Sequence, residues 1–133
     1  MIICNENKSI IDSLYIHDSA FTGFDYDYTN RKIHFKCENS YYKRFDFKFH
    51  NVILCDMQSC SFWHGGNAIL DMFIEDTTPQ MDELLKIQKE HQELYEDSYL
   101  DRGILYLQIK FQMNSGDVLL VICEYLEFDE ETY

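Results

Sequence analysis

Hydrophobic alternation with a period of two constrains this chain more than any other feature. Between Phe24 and Tyr28 every second residue is aromatic, and after Thr29-Asn30-Arg31-Lys32 the alternation resumes at Ile33, Phe35 and Cys37. Successive side chains of a strand point to opposite faces, so such runs are stable as half-buried β-strands and not as helices. Together they are expected to form a hairpin. With Asn30-Arg31 as its loop, Tyr28 faces Ile33, Tyr26 faces Phe35 and Phe24 faces Cys37, while Asp27 meets His34 and Asp25 meets Lys36 on the other side. Any even loop, of two or four residues, is expected to keep that pairing.

The same period recurs in Phe45-Asp46-Phe47-Lys48-Phe49-His50, which is expected to run on through Val52-Ile53-Leu54 as a third strand. Residues 68–74 are more continuously apolar, and the Gly65-Gly66 pair before them favours a strand covered on both faces. Thr78-Pro79-Gln80-Met81-Asp82-Glu83 breaks the pattern with a helix start: Thr78 as N-cap, Pro79 in the first helical position and acids in the first turn. The helix is expected over about 79–96, its stripe of Met81, Leu84, Leu85, Ile87, Leu94 and Tyr95 lying on the sheet. Asp82 to Lys86, Lys86 to Glu90 and Lys89 to Glu93 are spaced for ion pairs on its exposed side. A closing hairpin runs from Ile104 to Met113, turns at Asn114-Ser115-Gly116-Asp117 and returns from Val118 to about Phe128. The fold class that follows is mainly β, of the α+β type: an antiparallel β-sandwich or strongly curved sheet with one amphipathic helix before the C-terminal hairpin. Residues 1–128 form a single domain in this reading, and 129–133 a solvated acidic tail.

The chain carries 24 Asp and Glu against 11 Lys and Arg, a formal net charge of -13. Nucleic-acid backbones and anionic membrane surfaces would repel it, so neither is expected as a partner, and a basic protein is the complementary inference. The excess is uneven. Residues 1–70 hold 8 acids and 7 bases, whereas residues 71–133 hold 16 acids and 4 bases. The five cysteines, Cys4, Cys37, Cys55, Cys60 and Cys123, include no C-x-x-C pair, so neither a disulfide framework nor a structural zinc site is suggested. Met1 opens without a basic and apolar leader, and no apolar run approaches the roughly 18 residues of a membrane span, so reducing cytoplasm is the expected compartment.

Five places carry residues with chemical potential. His17 beside Asp18 is a ligand pair or a base with its orienting partner, but neighbours in a strand face opposite ways, so a turn with Asp18 and Ser19 bonded to local backbone is the plainer account. His34 and His50 fall on the polar faces of their strands, where Asp25, Asp27 and Asp46 offer cross-strand pairing or a metal site. His91 reads as a boundary residue of the helix. Glu124 falls in the apolar row of Val118, Leu120, Ile122 and Leu126 if the closing loop is even; a bulge or three-residue loop turns it to water and brings in Leu119, Val121, Cys123 and Tyr125. The segment Ser61-Phe62-Trp63-His64-Gly65-Gly66-Asn67 holds the only Trp, as an anchor for a partner or as a plug for the core. No phosphate loop and no nucleophile elbow occurs, and no cofactor, metal or catalytic residue is implied.

Leu14-x-x-His17-Asp18-Ser19, followed by Phe24-Asp25-Tyr26-Asp27 and Ile33-His34-Phe35-Lys36-Cys37, resembles a loose group of small bacterial proteins with this opening and a β-hairpin after it. Some of that group look like immunity proteins of contact-dependent or polymorphic toxin systems. The resemblance covers about the first 40 residues and brings no catalytic role to His17 or Asp18. The leading expectation is a non-enzymatic cytosolic protein that engages a basic partner through Asp82, Glu83, Glu90, Glu93, Glu96 and Asp97, with Tyr41, Tyr42, Trp63 or Tyr99 as aromatic anchors. Two alternatives stand beside it: a small-ligand or metal-dependent enzyme built around His17, Asp18 and Glu124, and a homodimer formed by an aromatic sheet edge or face.

Overall fold

The structure, a computed structural model, describes residues 1–14, 16–38, 43–58, 68–95 and 103–132. Nine strands, a short 3-10 helix at Lys8–Ser13 and one α-helix are present among them. The strands are β1 (Ile2–Cys4), β2 (Ala20–Asp27), β3 (Lys32–Glu38), β4 (Lys43–His50), β5 (Leu54–Gln58), β6 (Ile69–Glu75), β7 (Leu107–Met113), β8 (Val118–Cys123) and β9 (Tyr125–Thr132), with α1 at Pro79–Tyr95. All pairings are antiparallel. Sheet I has the order β1-β9-β4-β3-β2 and sheet II the order β5-β8-β7-β6. The fold class expected from the alternation is therefore what the chain adopts, a mainly-β, sandwich-like fold with one α-helix among the described residues.

Alternation decides which side chains meet between the sheets. Sheet I turns Phe45, Phe47 and Phe49 of β4 inward with Ile33, Phe35 and Cys37 of β3 and with Leu126 and Phe128 of β9. Sheet II answers with Leu107, Ile109 and Phe111 of β7 and Leu119, Val121 and Cys123 of β8. Phe111 sits edge-on to Phe35, Phe47 and Phe49 at centroid separations of 5.5, 5.6 and 6.1 Å, the arrangement that ring quadrupoles favour. Burying each such ring stabilises the fold by roughly 1.5–3 kcal/mol through removal of apolar surface from water. Leu120 and Ile122 point away from this core yet are also buried, so β8 is covered on both faces. The first turn of α1 is anchored on that side. Thr78 caps the helix by accepting from the Met81 N–H at 3.1 Å and donates its own hydroxyl to Gln108 of β7 at 2.7 Å. Gln80 reaches Asp56 of β5 at 3.1 Å.

Several local expectations are corrected. The first hairpin closes through a four-residue loop, Tyr28 to Arg31, so Phe24 pairs with Phe35, Tyr26 with Ile33 and Asp25 with His34. Widening the loop by two residues preserved the face of every side chain but slid the partners by two. Strand β4 stops at His50 because Asn51 takes a left-handed conformation, φ 50°, and the chain crosses to sheet II before Leu54. The closing loop has three residues: Met113 donates to the Asp117 carbonyl, Gly116 donates to the Met113 carbonyl, and Gly116 supplies φ 89°. That odd count brings Leu119, Val121 and Cys123 inward, whereas Tyr125 begins the next strand in the other sheet. Residues 129–132, expected as a solvated tail, instead continue β9 and pair with Asp46 to Lys43 of β4. On α1 the shielded stripe is Met81, Leu84, Gln88 and His91, three or four residues apart, while Leu85 and Ile87 flank it and stay about half exposed at 50% and 45%.

Candidate functional site

His17 and Asp18 are brought together because Asp18 takes φ 64°, a turn that breaks strand alternation. The imidazole Nδ1 lies 2.6 Å from the Leu70 carbonyl, and since a carbonyl only accepts, Nδ1 carries the proton. Nε2 then faces a carboxylate oxygen of Asp18 at 3.4 Å, a contact that is attractive in the imidazolium form. The surrounding backbone explains the segment. Asp18 N–H donates to the Ile69 carbonyl, Ile69 N–H donates to the Ser19 carbonyl, and Ala20 bridges Ala68, so this turn stitches the start of β2 to β6 of the other sheet.

Glu124 does not join them. It is the half-buried residue between β8 and β9, where its N–H donates to the His50 carbonyl at 3.1 Å. Its neighbour Cys123 is level with Leu107, whereas Ile69 is level with Met113. Those two ends of β7 are about 20 Å apart at the rise of an extended chain. A single site containing His17, Asp18 and Glu124 is thus contradicted by the register of sheet II. No three His, Cys, Asp or Glu side chains among the described residues are grouped to hold a metal ion. Of the cysteines, burial pushes the Cys37 thiol up to about 12, with Asp46 adding to it, and burial with the Glu124 charge also raises Cys123. Neither is a ready nucleophile.

The outer face of sheet I is a lattice of paired charges. His34 meets Asp46 at 2.8 Å rather than the Asp27 expected from sequence, and His50 meets Glu127 at 2.7 Å while stacking on Tyr125 at 4.6 Å. Lys36 binds Asp25 at 2.9 Å, and its hydrogen bond and charge hold the Asp25 carboxyl below its usual range. Asp27 turns instead to Asn30, whose side-chain and backbone amides lower its carboxyl in the same way. Lys48 lies 3.8 Å from Asp129, and Arg44 lies 3.7 Å from Glu38. A shallow hollow of about 180 Å³ lies beside Lys32, His34, Lys48 and His50, the last three of which are engaged in these pairs.

Helix α1 presents the opposite situation. Asp82, Glu83 and Glu90 are exposed and make no ion pair among the described residues, and the expected Asp82 to Lys86 and Lys86 to Glu90 pairs do not form. Glu93 lies in the C-terminal part of the helix. Glu96, Asp97, Trp63, Tyr41, Tyr42 and Tyr99, together with the segment 61–67 and Cys60, lie outside the described residues. One feature was not anticipated from sequence: Phe24, Tyr26 and Tyr28 are 38%, 70% and 89% exposed although Phe24 and Tyr26 share the inward face of sheet I. Only the position of β2 at the end of the sheet accounts for this, and no local pattern encodes that position.

No protein-family model matches the chain, and no curated protein is significantly similar to it. No helix among the described residues is long and apolar enough to cross a membrane.

Proposed function

We propose that this chain is a non-enzymatic cytosolic binding protein, of the immunity-protein kind, that engages a basic protein partner through the acidic face of α1. The observation that supports this reading is the contrast in compensation. Asp25, Glu38, Asp46, Glu127 and Asp129 of sheet I are met by lysine, arginine or histidine, whereas Asp82, Glu83 and Glu90, exposed on a capped helix, make no ion pair among the described residues. Unpaired charge on a rigid element steers an oppositely charged protein and is lost from water only when that partner docks. The immunity assignment rests on the N-terminal resemblance alone. The test is capture from bacterial lysate on the immobilised protein at low salt, elution at high salt, and identification of what elutes. A basic protein retained by the native chain and lost by the Asp82→Asn/Glu83→Gln/Glu90→Gln variant supports the reading. Equal retention by both chains overturns it.

A further inference from the structure

We draw no further inference here: the strongest candidate, the exposed aromatic patch of Phe24 and Tyr26 on the edge strand β2, carries none because nothing in the structure shows what covers it.

Discussion

Strand β9 and helix α1 both belong to the acidic half of the chain, yet their charges have different fates. β9 is threaded between β1 and β4, and the bases of the first half come to meet it: Lys48 approaches Asp129 and His50 binds Glu127. α1 is anchored at its start through Thr78 and Gln80 and shields the stripe from Met81 to His91, but its Asp82, Glu83 and Glu90 find no such partners among the described residues. An acidic half of a sequence is therefore not an acidic half of a molecule. Strand pairing redistributes charge, and the local field that steers a partner is set by what the neighbouring charges, Lys86 and Lys89 of α1 included, leave unbalanced.

If β9 and its neighbours are structural and α1 is not, the largest effects should fall in sheet I. Phe47→Ala removes a fully buried ring that packs on Phe49, Phe111 and Phe128, and should lower stability by about 3–5 kcal/mol in urea unfolding followed by circular dichroism. A chain ending at Phe128 loses the β9 ladder opposite residues 43–46. It should lose about 2–4 kcal/mol by the same measurement, where a solvated tail would cost nothing. Asp82→Asn/Glu83→Gln should lower stability by no more than about 1 kcal/mol, the helix-dipole contribution of exposed acids at the helix start that make no ion pair among the described residues. The smallest effect sharpens the charge lattice itself. Lys36→Met should let the Asp25 carboxyl rise back toward its ordinary value in an NMR titration. The sign follows from the pairing: Lys36 favours ionised Asp25, so its contribution is present above the ordinary carboxylate range and fades as pH falls through the lowered value.

Sequence reasoning reached the features that are local. Alternation in Phe45-Asp46-Phe47-Lys48-Phe49 assigned the core face of β4, and Thr78-Pro79 located the helix start that the Met81 N–H bond marks. It failed where the deciding contact is distant. A loop of two or four residues leaves Tyr26 on the same face, so the pattern cannot choose between Phe35 and Ile33 as its partner. The acids of 129–132 look like a tail until β4 supplies the ladder they join, and no nearby residue announces that pairing. The candidate site divided along the same line. The turn at Asp18 brought His17 and Asp18 together within three residues, whereas Glu124 was held at the other end of sheet II by strand register.

On the function proposed above, unpaired acidic charge on α1, rather than net charge, steers the partner. Two variants that each remove two negative charges separate these terms: Asp82→Asn/Glu83→Gln on the helix and Asp129→Asn/Glu130→Gln on β9. The measurement is the association rate of the captured basic protein with each, at low and at high salt. A slower rate is expected for the helix variant, converging on the native rate as salt screens the field, and a near-native rate for the β9 variant. Equal slowing by both would contradict it and assign recognition to net charge alone.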